Sequence, residues 1–236
     1  MIPITKLLYQ IDLNLNKVAS DQNQFIADED KILALNRSQL KLIKSKIEGN
    51  KIGLGFDAFR TRYEELQDLI VQYEEVSPTK TSEVLPSYQI DLNSLKNKYY
   101  QPVDIIALAD KGNCKNRQIF VTRIVKHSDL TTLMNNSNYN PNFIYQESLA
   151  VISSNKLIVY SGDFTINKIL LSYLRFPKEM DIEGYIHLDG TESTNQDCEL
   201  TEELEDELLN LTIIELGFDI SDNNTAQAAQ VKQNLP

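Results

Sequence analysis

Histidine is the side chain that titrates nearest neutrality, and this chain has two, His127 and His187. His127 is followed by Ser128 and Asp129, which together supply the residue types of a hydrolytic triad. Three adjacent residues do not converge in triad geometry, and no G-x-S-x-G turn is present, so His127 reads as a polar residue at a strand end. His187 stands between Ile186 and Leu188 and reads as a strand residue facing solvent. The acids Glu202, Glu203, Glu205, Asp206 and Glu207 could suggest a metal site, but a helix disperses carboxylates around its axis. Asp189-Gly190-Thr191-Glu192 is too short for a calcium loop. With no tryptophan to stack on sugars, no carboxylate pair stands out for glycoside hydrolysis. Gly49, Gly53 and Gly55 fit neither a P-loop nor a dinucleotide fingerprint and read as a turn between helices. Cys114 and Cys198 form no CxxC motif, and free thiols are the expectation. No catalytic, cofactor-binding or metal-ligating residue is assigned, no cofactor is expected, and the residues point away from an enzyme. A hydrolase is kept as a third reading that would require a deep polar cleft.

Charge narrows the partners. The formal net charge is −11, which disfavours broad binding to nucleic acid or to an anionic membrane. From Asp181 onward, fourteen acids face one base, Lys232. The basic residues Lys111, Lys115, Arg117, Arg123 and Lys126 form the single basic region. Opposite charges on one chain favour head-to-tail contact between copies, a geometry that closes into rings. The candidate interface is therefore Lys111, Lys115 and Arg117 of one copy against Glu202, Glu203, Leu208 and Leu211 of the next.

The elements that would carry these residues read as α+β. Hydrophobic content of 42% suffices for a core. Ile4, Leu7, Leu8, Ile11, Leu15 and Val18 mark one face of a first helix. Asp28-Glu29-Asp30 opens a second, with Ile32, Leu33, Leu35, Leu40, Ile43 and Ile47 as its stripe and Gly49 as its stop. Asp57 caps a third, running through Phe59, Tyr63, Leu66, Ile70 and Tyr73. Residues 1–76 are thus a helical hairpin or small bundle, and 77–101, polar and proline-containing, a linker. Residues 102–190 read as a mainly antiparallel sheet in meander order. Its clearest part is a hairpin, ESLAVI-SSN-KLIVYSG, followed by a central strand, TINKILLSYLRF. One helical turn is expected between Asp129 and Met134. Residues 191–236 hold an acidic amphipathic helix, capped by Thr201 and Gly217 and docked on the sheet, and a loose tail. Met1-Ile2-Pro3-Ile4 does not open like a signal peptide, and no apolar run is long enough to span a bilayer, so a cytosolic site of synthesis is expected.

The stretch YLRFPKEMDIEGYIHLDGTESTNQDCELTEELEDELLNLTIIELG resembles virion structural proteins of crAss-like tailed phages. The pattern is a Tyr/Leu-Arg-x-Pro strand end, then D-G-x-x-S-x-x-x-x-C-E-L, then an acidic amphipathic helix. The opening MIPITKLLYQIDLNLNK…EDKILALNRSQLKLIK is similar to the start of the same kind of protein. The resemblance covers the two ends of the chain and carries no chemistry. It implies a head–tail connector or adaptor ring protein of the neck and tail, localised to the virion and assembled in the host cytoplasm. The implied partners are further copies in a homo-oligomeric ring of twelvefold symmetry, the portal, and other neck or tail ring proteins. DNA would pass through the channel without specific binding, and no membrane is involved. The alternative is a non-enzymatic scaffold or regulatory protein that presents its acidic helix to a partner.

Overall fold

The computed structural model describes residues 1–18, 26–48, 65–82, 85–187 and 190–219. They are α+β and fall into two compact units: unit 1 joins Met1–Leu69 with Pro177–Pro236, and unit 2 is Ile70–Phe176. No described helix is long and apolar enough to cross a membrane.

Unit 1 contains α1 (Ile4–Val18), α2 (Asp28–Glu48) and α4 (Glu205–Asp219). Ile4, Leu7, Leu8 and Ile11 of α1 are buried, as their spacing predicts. On α2 the inward face is Ile32, Leu35, Leu42, Ile43 and Ile47, with Ser38 and Gln39 buried between them. Leu33 and Leu40, expected in the stripe, point outward at 51% and 42% exposure. On α4 the buried line is Leu208, Leu209, Thr212, Ile213 and Leu216, and the helix packs against α2 and α1. Thr201 precedes a 3-10 turn at Glu202–Leu204, but its hydroxyl makes no capping bond. Gly217 does not stop the helix, which continues to Asp219. The α1 N-terminus is capped from far along the chain: the Asp197 carboxylate accepts the Ile4 N–H at 2.9 Å.

Unit 2 holds an eight-stranded sheet, β1 (Ile70–Val76), β2 (Thr79–Ser82), β3 (Ser87–Asp91), β4 (Tyr99–Lys111), β5 (Cys114–Ile124), β6 (Glu147–Ser153), β7 (Lys156–Tyr160) and β8 (Thr165–Arg175), in the order β1-β8-β4-β5-β6-β7-β3-β2. Two expectations fail here. The third helix does not reach Ile70 and Tyr73: those residues lie in β1, which pairs with β8, and the part from Asp57 to residue 64 lies outside the described residues. The supposed linker 77–101 carries β2, β3, a 3-10 turn at Leu92–Ser94 and the start of β4. Its prolines, Pro78 and Pro86, fall just before strands rather than within them, where a missing N–H costs no ladder bond.

The meander is also incomplete. β5 and β6 run parallel, joined by α3 (His127–Met134), while every other pair is antiparallel. Parallel neighbours need a crossover, and α3 supplies it, longer than the single turn expected. The β6–β7 hairpin turns on Ser154 and Asn155, both left-handed at φ 48° and 60°, as a two-residue primed turn requires. Ser153, assigned to the turn by the sequence, pairs with Lys156 instead. β8 is central, between β1 and β4, and Leu171, Ser172, Tyr173 and Leu174 are all buried.

One face of the sheet gathers a core from six strands, including Tyr88, Ile105, Ile119, Ala150, Val159, Ile169, Leu171 and Tyr173. On the opposite face of β6 and β7, Val151 and Tyr160 meet Leu130 of α3.

Candidate functional site

The described residues between Pro177 and Leu200 have little regular structure, against the expectation of a strand through His187, and are held by many side-chain hydrogen bonds. Asn36 of α2 clamps its start: the side-chain amide donates to the Met180 carbonyl at 3.0 Å and its oxygen accepts the Met180 N–H at 2.8 Å. Asp181 and Gln196 exchange both backbone bonds. Inside that bridge the Ser193 hydroxyl accepts the N–H groups of Gly184 and Tyr185, each at 3.0 Å. Gly184 takes φ 129°, a conformation closed to other residues without strain.

Asp181 is the hub. Its carboxylate accepts the Ile182 N–H at 2.9 Å, the Thr194 N–H at 3.1 Å and the Tyr185 hydroxyl, and meets His187 Nε2 at 3.1 Å. Burial pushes the Asp181 carboxyl up, but the bonds from Tyr185, Thr194, Ile182 and His187 outweigh it and hold the group below the usual carboxylate range. The Tyr185 phenol is pushed up to about 12 by burial and by its bond to Asp181. Its ring meets the His187 ring edge-on at 5.0 Å.

These residues line one side of a cleft of about 620 Å³, with Glu29, Asp30 and Leu33 of α2 on the other. An Asp–His pair beside a tyrosine invites an acid–base reading. The Tyr185 hydroxyl and His187 Nε2 both point at Asp181, which spends its lone pairs holding the loop. The cleft's exposed lining mixes apolar, polar and charged groups, with acids the majority of the charges: Ile186 is 70% exposed, Leu33 51%, and Glu29, Asp30, Glu179, Lys178 and Thr194 are exposed. Among the described residues no group of three or more His, Cys, Asp or Glu could hold a metal ion. At the other histidine, Ser128 donates to Asp129 at 2.9 Å, and no triad forms from the three adjacent residues.

The expected interface residues are scattered in their roles. Lys111 pairs with Asp163, and Lys115 lies 3.2 Å from Asp110 on its own hairpin. Arg117 donates to the Ile144 carbonyl at 3.2 Å and stacks over the Phe143 ring at 5.1 Å. Glu202 and Glu203 are exposed, Leu211 is half-buried, and Leu208 is fully buried in unit 1, where it cannot reach another copy without unfolding. Three acids of the helix are used at home: Glu205 pairs with Lys6 at 2.7 Å, Glu207 with Lys46 at 2.9 Å, and Glu215 with Lys41.

A second surface feature lies in unit 2, in the loop before β6, and sequence reasoning passed over it. Asn142 and Glu147 exchange backbone bonds at 2.9 and 3.0 Å, closing a six-residue loop. The Asn142 side chain accepts the N–H groups of Ile144 and Tyr145 at 2.8 and 3.2 Å. Phe143 is buried beneath, and Gln146, left-handed at φ 60°, offers its carbonyl to the Phe120 N–H at 2.8 Å. The loop thereby holds Ile144 and Tyr145 out at 71% and 76% exposure. The clue in the sequence was N-P-N-F-I-Y-Q: an Asx turn followed by three apolar residues, of which one turn can bury only one.

Compared with known protein families the chain matches none, and it matches no characterised protein.

Proposed function

We propose that this protein is a structural, non-enzymatic subunit of a tailed-phage virion: a head–tail connector or adaptor that forms a ring, joins the portal to the tail and lets the genome pass. The observation that carries the reading is the rigid display of Ile144 and Tyr145. Two large apolar side chains fixed in solvent by four hydrogen bonds to their loop are unfavourable in an isolated molecule and suit a surface that another molecule covers.

The segment that resembles crAss-like virion proteins supports a structural role. Its Ser193 ties the Gly184–Tyr185 turn, and Cys198, Glu199 and Leu200 are buried. Glu199 accepts the Lys178 N–H at 2.9 Å. Those residues shape a loop; none of them is displayed to a substrate. A net charge of −11 suits a wall past which DNA slides, because it repels the phosphate backbone. The alternative, an acidic helix offered to a partner, is the weaker reading because Glu205, Glu207 and Glu215 are already paired within unit 1.

The test is to purify the protein and mix it with the portal of the same phage, then image the mixture by electron microscopy. Rings stacked on the portal are expected. A protein that stays a single copy, binds no purified virion component and turns over a small molecule would refute the proposal.

A further inference from the structure

The displayed loop stands beside a cation, and the rim of the cleft is predominantly acidic. The loop offers an aliphatic and an aromatic side chain beside Arg117. Arg117 bonds a neutral carbonyl, so its charge stays available to a carboxylate. The cleft offers apolar Leu33 and Ile186 inside a rim that carries three acids, Glu29, Asp30 and Glu179, against one base, Lys178, which lies 4.0 Å from Glu199. At about 620 Å³ it is roomy enough for two side chains. It is also pre-formed, since the Asn36 clamp and the Asp181 hub fix its walls before any ligand arrives.

We propose that the Ile144–Tyr145 loop of one copy seats in the Leu33–Ile186 cleft of a second copy, bringing Arg117 against the cleft's carboxylates. The contact joins two different surfaces, so it is heterologous: a joined pair keeps one free loop and one free cleft, and successive copies extend until a ring closes. This rests on the ring reading above and names its contact. It replaces the pairing of Lys111 and Lys115 with the acidic helix, because both lysines and the helix acids Glu205, Glu207 and Glu215 already have partners within their own units.

The test uses two variants at exposed positions. A loop variant carries Ile144→Ser and Tyr145→Ser, and a cleft variant carries Ile186→Arg. Near-UV circular dichroism confirms that each folds. In size-exclusion chromatography with light scattering, the unaltered protein is expected to run as a multimer and each variant alone at the single-copy mass of 27.0 kDa. An equimolar mixture of the two is expected to give a two-copy species and nothing larger, because one intact loop and one intact cleft remain. Multimers that persist in both variants would overturn this contact and leave the ring reading standing. Folded variants that stay single when mixed would overturn the head-to-tail seating. Unaltered protein that remains a single copy at its highest attainable concentration would overturn the contact, and the portal mixture above would then judge the ring reading separately.

Discussion

In unit 1 the bonds that join distant parts of the chain are made mostly by side chains, and many are charged. Asp197 caps α1, Asn36 clamps Met180, and the buried Lys31 reaches Asp12 at 2.7 Å and Asp28 at 2.9 Å. Lys46 reaches Glu65 and Glu207, both at 2.9 Å. In unit 2 the frame is a set of strand ladders over an apolar cluster drawn from six strands, and charged bonds such as Lys111–Asp163, Lys168–Glu75 and Tyr173–Glu74 are added to ladders that are already complete. Backbone ladders do not titrate and carboxylates do, so the two units should answer differently to mutation, pH and reagents although they share one chain.

The largest expected effect is in unit 2. Tyr173 is fully buried, packs against Tyr99 and donates to Glu74 at 2.8 Å. Tyr173→Ala removes the ring from the core and should cost about 3–5 kcal/mol. Hydrogen exchange should quicken throughout β4 and β8 while α1, α2 and α4 keep their protection. Equal loss in both units would break the comparison and make the molecule one cooperative block.

A smaller effect is expected at Asp181. Asn keeps one of its two oxygens, so Asp181→Asn retains about half of the accepted bonds and should cost unit 1 roughly 1–3 kcal/mol. The pH dependence follows from the sign of its shift. The folded carboxyl titrates below its unfolded value of about 3.9, so its stabilisation is present above that pH and is lost as pH falls through the folded value. Lys31 works at the other end. Burial lowers its pKa, but bonds to Asp12 and Asp28 more than compensate and raise it. Its contribution is present below about pH 10.4 and is lost as pH rises through the folded value. Far-UV circular dichroism should therefore show the helical signal failing at both extremes before the strand signal does, with a shallower acid limb in Asp181→Asn.

The smallest perturbation comes from thiol labelling, which reports on each unit separately. Cys114 of unit 2 is exposed, whereas Cys198 of unit 1 is buried and its thiol is pushed up to about 11. Near pH 8 the native protein should label at one thiol per chain, since the thiolate is the reactive form. The second should react only when unit 1 opens, and Asp181→Asn should hasten it while Tyr173→Ala should not.

The sequence was most readable where one element's own pattern decides its structure. The α1 stripe from Ile4 to Ile11 and the β6–β7 hairpin are fixed by local periodicity and turn chemistry. β2, Thr79–Ser82, left no mark because an edge strand needs only its backbone and carries no apolar face. The parallel pairing of β5 with β6 depends on where α3 packs, which no local window contains. The candidate site was hidden for a related reason. Asp181, Tyr185 and His187 converge because a Gly184 turn and the Ser193 hydroxyl fold the loop back, and their spacing matches neither a helix nor a strand. The lysines and glutamates were legible as charges, but their pairing across Lys6–Glu205 and Lys41–Glu215 required the packing of three helices.

The backbone bridge between Ile2 and Cys198, with N···O distances of 3.0 Å in both directions, bears on how the molecule is made. A ribosome delivers Ile2 long before Cys198, so the helix that follows Ile2 must wait, uncapped, until the distant segment emerges. The strands from Ile70 to Phe176 need nothing from either end of the polypeptide to complete their ladders. Nascent chains halted once Phe176 has cleared the exit tunnel should resist protease across that span while their leading segment is cut.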